Sequence, residues 1–241
     1  VEAAEAAAGG IAGPPEPLTG DRAFLSAFGL DPSPDLLLKD LGDNWKIAAT
    51  SLKAFPCALQ TQSALAALRN VISTNNLTAE DVVAIEIGLP EAMRRIVDRP
   101  GVPETHFGAA ASLPFLAAAC LLDGDVLPAR MAEVRRMAQD VRAAMDKVRI
   151  YHAAELDSAL PAAWPARVRV ATAGGEFTGE CRIPPGDPED PIAMTVTIDR
   201  FRSYSVGQID EGTQDRIIDA VSDLANLKDM SAITAPLRAL F

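Results

Sequence analysis

The side chains with chemical potential in this sequence are few and scattered. Lys53 stands in Lys53-Ala54-Phe55-Pro56, Gln60 and Gln62 follow it closely, Arg94-Arg95 comes after a β-like run, and His106, His152 and Cys57 complete the set. Arginine binds a carboxylate through two parallel hydrogen bonds and stays charged at any working pH, so Arg95, with Arg94 as its alternative, is a candidate anchor for an acidic substrate. Lys53 has two open roles: a fixed positive charge, or a proton-transfer group if other cations and burial lower its pKa. Gln60 and Gln62 donate and accept hydrogen bonds but do not titrate, so either could only orient a substrate group. Each has a plainer reading: Arg-Arg as a solvated or ion-paired face, Lys53 as a surface lysine at a strand end, and the glutamines as polar residues at a helix start. His106 precedes an apolar helix and reads as a residue that satisfies its start. His152 follows the strand-like Val148-Arg149-Ile150-Tyr151 and reads as structural or exposed. Cys57 has no neighbouring base to activate it, so packing is the better reading.

Bulk properties narrow the chemistry. With 33 acidic against 22 basic residues the formal net charge is −11, which opposes a polyanionic partner, so nucleic acid is not expected. The three cysteines lie more than sixty residues apart without a CxxC pair, which argues against a zinc or iron-sulfur centre and suits a reducing cytoplasm. The opening VEAAEAAAGG carries Glu2 and Glu5 within its alanine run and is neither a signal peptide nor a membrane span. It reads as the last turns of a helix that begins outside the chain, and a truncated polypeptide is expected. No membrane partner is expected.

The elements that must position these residues follow from periodicity. Five prolines between residues 11 and 43 surround the apolar AFLSAFG, giving a loop-rich connection with one brief helix. WKIAATSLKAFP reads as a strand or extended segment ending in a turn. TQSALAALRNVI spaces Ala64, Leu65, Leu68, Val71 and Ile72 helically, with Thr61 or Ser63 available as a cap. In DVVAIEIGLP, Val83, Ile85, Ile87 and Leu89 alternate with Ala84, Glu86 and Gly88, the pattern of a strand covered on one side. RVRVATAGGEFTGECRI reads as a hairpin about Gly174-Gly175. Between the β regions, SLPFLAAACLLDG predicts a buried helix and ARMAEVRRMAQDVRAAMDKV an amphipathic surface helix. After the turn PPGDPEDP, TQDRIIDAVSDLANL and APLRALF predict terminal helices. The sum is an α+β fold: residues 1–44 as a helix end and linker, 45–185 as a mixed α+β domain, and 186–241 as returning helices.

Four ordered patterns resemble the MmgE/PrpD family. They are Lys53-Ala54-Phe55-Pro56 leading into Gln62-Ser63-Ala64; Glu91-Ala92, Arg95-Ile96 and Asp98 after the strand; Ser112-Leu113-Pro114-Phe115 with Leu121-Leu122-Asp123-Gly124; and Gly186-Asp187-Pro188 with Pro191 and Arg200-Phe201-Arg202. Each is weak singly and together they are fairly specific. The resemblance implies a lid-type α+β domain inserted before the last helices of a large all-helical domain, most of which would lie outside this chain. It further implies a cofactor-free lyase acting on a small di- or tricarboxylate, with Lys53 catalytic, Arg95, Arg94, Gln62 and Gln60 binding substrate, no metal, and a homodimer in the cytoplasm. The second pattern is closest to the 2-methylcitrate dehydratase branch. A decarboxylase of the cis-aconitate type, a carboxylate isomerase or epimerase, and a non-catalytic association module are the other readings. Family members commonly carry a histidine just after the lysine motif, whereas Cys57 to Gln62 contain none. A pocket shared with a missing domain implies that the 241 residues alone are inactive.

Overall fold

The computed structural model describes residues 1–20, 23–28 and 35–238 and shows two compact units, Val1–Thr50 and Ser51–Phe241. Pro32, Pro34 and the end of the expected helix in APLRALF lie outside the described residues.

The first unit contains α1 (Glu2–Ala8), α2 (Phe24–Phe28), α3 (Asp35–Leu38) and a 3-10 turn at Lys46–Ala49. WKIAATSLKAFP is therefore not a strand. β-branched residues favour extended backbone, but a strand exists only where a neighbouring edge takes up its hydrogen bonds. Residues 50–54 belong to no ladder, and in the second unit Leu52 N–H donates to the Gly186 carbonyl at 2.7 Å.

The second unit is mixed α+β. In chain order it holds α4 (Gln62–Thr74), β1 (Val82–Leu89), α5 (Glu91–Val97), α6 (His106–Ala110), α7 (Leu113–Asp123), α8 (Glu133–Arg136), α9 (Gln139–Met145), β2 (Val148–His152), β3 (Ala166–Thr172), β4 (Gly175–Cys181), α10 (Met194–Tyr204), α11 (Glu211–Ser222) and α12 (Ser231–Arg238). The strands form one sheet in the order β2-β1-β3-β4, with β1 parallel to β2 and antiparallel to β3, and β3 antiparallel to β4. Ile85, Ile87, Val168 and Val170 are fully buried on one face, where α4 crosses β3 and β4 and α7 packs against α4, α9 and β2. The other face is ionic: Arg169 reaches Glu86 and Glu176, and Arg167 reaches Glu180 and Glu155.

The alternation in β1 differs from expectation at its start. An irregular register between Val82 and Ala84 turns Val82 inward at 1 % exposure and Val83 outward at 62 %, because a bulge reverses which face the following side chains occupy. Pairing of Thr172 with Gly175 makes Ala173-Gly174 the hairpin turn, one residue earlier than the expected centre.

Helix α7 forms as expected. Ser112 caps it by accepting from Phe115 N–H, Gly124 ends it in the left-handed region at φ 74°, and Leu113 to Leu121 are all buried. A segment apolar on every side can only be a central helix. The amphipathic segment after it is broken, with Ala132 and Ala138 extended between a 3-10 turn, α8 and α9. Arg136 explains the break. It is 5 % exposed, and its guanidinium donates to the carbonyls of Pro103 (3.0 Å), Glu104 (2.6 Å) and Met131, which the interrupted backbone leaves free. Helix α10 is announced by no periodic signal, because Thr195, Val196, Thr197 and Ile198 read as β-formers; it packs on α11 all the same. Among the described residues no helix is long and apolar enough to cross a membrane.

Candidate functional site

Lys53 sits on a loop bolted to the core on both sides. Ahead of it, the Leu52–Gly186 bond crosses so closely that a Cβ on Gly186, at φ +95°, would lie 1.8 Å from the Leu52 carbonyl oxygen. Only glycine fits there. The same turn is held by Asp187, whose carboxylate accepts from Glu189 N–H and from the Ser51 hydroxyl at 3.1 Å each.

Behind Lys53, the loop is held by Gln62, the first residue of α4 and 1 % exposed. Its amide oxygen accepts from Phe55 N–H at 3.0 Å, and its amide nitrogen donates to the Phe55 carbonyl at 3.0 Å. The side chain thus imitates a neighbouring strand for one residue of loop. Ala58 N–H donates to the Ala110 carbonyl, closing the far end. Thr61 occupies the cap position, but its hydroxyl donates back to the Ala58 carbonyl at 2.7 Å instead of capping α4. Gln60 is half-buried on the 3-10 turn Leu59–Thr61, against which α5 packs.

Phe55 is fully buried, and two guanidinium groups stand over its ring: Arg69 from α4 at 4.9 Å and Arg200 from α10 at 5.3 Å. Both are also 3.5 Å from one oxygen of Asp125, just past the end of α7, and Arg200 donates to the Tyr204 hydroxyl at 2.6 Å. Helices α4 and α10 and the lysine loop therefore converge on one aromatic ring, and Asp125 faces both arginines. The sequence reading missed Arg69, Asp125 and Tyr204 as site residues. Arg200 was visible within Arg200-Phe201-Arg202, but no periodic signal placed it on a helix.

Cys57, two residues beyond Phe55, is buried against Thr61 and Gln62. Burial pushes its thiol up to about 11, against smaller lowering influences from Thr61, Lys53, Gln62 and Arg200. The neutral thiol is thus the favoured form in the fold. The stabilisation this represents is fully present below the ordinary thiol pKa and is lost as pH rises toward 11. In the native protein at pH 8, iodoacetamide is expected to reach the half-buried Cys181 and to spare Cys57 and Cys120, whose thiol burial lifts to about 12. Peptide mass spectrometry reads this directly. Modification of Cys57 as fast as in denaturant would contradict its packing role.

Arg94 and Arg95 lie elsewhere, on α5. Glu91 holds Arg94 through bonds of 2.8 and 3.0 Å and Arg95 through one of 2.9 Å, and Asp98 takes a further Arg94 N–H at 3.0 Å. These contacts press the Glu91 carboxyl down to about 2, through the Arg94 hydrogen bonds first and those of Arg95 second. Arg95 remains 75 % exposed. No hydrogen bond or ion pair among the described residues joins this pair to the Phe55 cluster. His152, at the end of β2, faces Asp157 at 2.8 Å; Asp157 also accepts from Glu91 N–H. His106 is exposed, and the cap of α6 is Thr105, which accepts from Gly108 N–H. Among the described residues no group of three His, Cys, Asp or Glu side chains could hold a metal ion.

Residues 55–226 match the family model described as MmgE/PrpD C-terminal domain. No curated protein matches the chain.

Proposed function

The chain belongs to the MmgE/PrpD family through its C-terminal domain, and from that premise we propose that it forms part of a lyase of the 2-methylcitrate dehydratase kind. The reaction is elimination of water from a small polycarboxylate, with no metal or organic cofactor. A base removes the proton on the carbon next to a carboxylate, and the hydroxyl on the adjacent carbon leaves as water after taking up a proton. Both steps need cations to hold carboxylates and to stabilise the charge that develops.

One observation carries this reading: Lys53 sits on a loop anchored at both ends, two residues before Phe55, over whose ring stand two guanidinium groups that share a single carboxylate. In the proposed arrangement Lys53 is the catalytic residue, and Arg95, Arg94 and Gln60 meet the substrate from the α5 side. Gln62 shapes the loop, since its amide is already engaged by Phe55. The family's other domain, a cytoplasmic setting and a homodimer belong to the same proposal, as does the division at residues 44 and 185.

The test is turnover by the protein from the full reading frame on a panel of di- and tricarboxylates, following dehydration, hydration, decarboxylation and epimerisation separately. Dehydration of a hydroxy-tricarboxylate is the expected result. Decarboxylation or epimerisation alone would move the chain to another activity, and no turnover on any acid would remove the enzyme reading.

A further inference from the structure

We propose that Arg69 and Arg200, stacked on Phe55, form a carboxylate subsite in which Asp125 holds the place of an incoming substrate carboxylate. The inference rests on the reading of the chain as part of a polycarboxylate lyase, and it names the groups that recognise the acid.

The geometry around Asp125 is that of a stand-in. One oxygen faces both Arg69 and Arg200 at 3.5 Å, well beyond the roughly 2.7–2.9 Å of a good charged hydrogen bond. By contrast, Glu91 grips Arg94 with two bonds of 2.8 and 3.0 Å. Asp125 cannot move closer without giving up its other oxygen, which accepts from Val126 N–H at 2.8 Å. The carboxylate is tied to its own backbone, and both guanidinium groups are left under-used.

Charge and burial favour exchange. Two positive groups face one negative group, and no other acidic side chain among the described residues is ion-paired with either arginine. The Arg200 side chain is 16 % exposed, so a charged hydrogen bond made to it is screened less than on an open surface. Arg69 and Asp125, at 35 % and 31 %, are open enough for a solute to reach. Tyr204 sits one turn along α10 from Arg200 and accepts its N–H at 2.6 Å, so the phenolic hydrogen is free to be donated to a second carboxylate oxygen. A free carboxylate can accept from both arginines at normal distance, which Asp125 does not do.

Isothermal calorimetry with citrate as the probe, at fixed ionic strength and with sulfate as the control anion, tests the subsite without any turnover. Arg200→Gln and Arg69→Gln are each expected to weaken citrate binding at least about tenfold, the loss of one charged hydrogen bond. Asp125→Asn removes the competitor and is expected to tighten citrate binding severalfold, a gain that misfolding cannot produce. Arg200→Lys keeps the charge without the fork and should fall between wild type and Arg200→Gln. Citrate binding that is absent in the wild type, unchanged within twofold in both glutamine variants, matched by sulfate, or weakened by Asp125→Asn would overturn the subsite. Arginine-dependent citrate binding with no turnover on the acid panel would sustain the subsite and remove the lyase reading. Turnover indifferent to Arg69 and Arg200 would do the reverse.

Discussion

Replacing Gln62 with leucine is expected to destabilise the Ser51–Phe241 unit by about 1–3 kcal/mol, roughly the cost of leaving the buried Phe55 N–H without a partner, while the Phe55 carbonyl keeps its bond from Cys57 N–H at 2.8 Å. The side chain is 1 % exposed, and its amide is the partner of both the Phe55 N–H and the Phe55 carbonyl, at 3.0 Å each. Leucine is close in volume, so the loss is of hydrogen bonds more than of packing. Gln62→Glu sharpens the test. A buried carboxyl can serve both Phe55 groups only when protonated, so its folded-state pKa must rise. Stability of that variant is then retained at low pH and lost as pH rises through the folded-state pKa. Equilibrium denaturant unfolding measures both variants. A loss below about 0.5 kcal/mol for Gln62→Leu would mean that the loop satisfies itself by other means.

If the proposed lyase reading holds, substitution of Lys53 by alanine is expected to lower kcat/KM of the protein from the full reading frame at least about 100-fold while leaving the melting temperature nearly unchanged. A positioned proton-transfer group contributes about 10²–10⁴-fold. Lys53 is exposed, and truncating an exposed side chain away from caps and cores changes stability by only about 0.5 kcal/mol. Lys53→Arg separates its two possible roles. Arginine keeps the positive charge but does not give up its proton, so recovery to within about tenfold of wild type assigns Lys53 a fixed charge, and no recovery assigns it proton transfer. An alanine variant within threefold of wild type would remove Lys53 from the site. The measurement complements the calorimetry on Arg69, Arg200 and Asp125, because a group that only handles protons should change kcat and leave citrate binding in place.

Much of the scaffold is written in short-range patterns. Ser112, Pro114 and Gly124 mark the start and stop of α7, and its unbroken apolar run marks it as central. The spacing from Ala64 to Ile72 determines α4, and the alternation in residues 166–181 determines the hairpin. Four ordered motifs were enough to place the family. These features are legible because capping, left-handed glycine and periodic burial each act over a turn or two of chain, so their causes lie within the same few residues.

The tertiary structure decided what depends on distant partners. Whether residues 45–56 became a strand turned on the absence of an edge to pair with; whether residues 129–148 ran as one helix turned on Arg136 reaching carbonyls near residue 103. A β1 bulge reassigned Val82 and Val83, which a strict period of two cannot foresee. The site itself is the clearest case. Gln62 reads in sequence as a substrate contact and in space as the clamp on Phe55, while Arg69 and Arg200, from α4 and α10, meet over one ring and share Asp125. Local spacing orders side chains along one element, but which charges face each other is set by how elements pack across more than a hundred residues, and no local pattern records that.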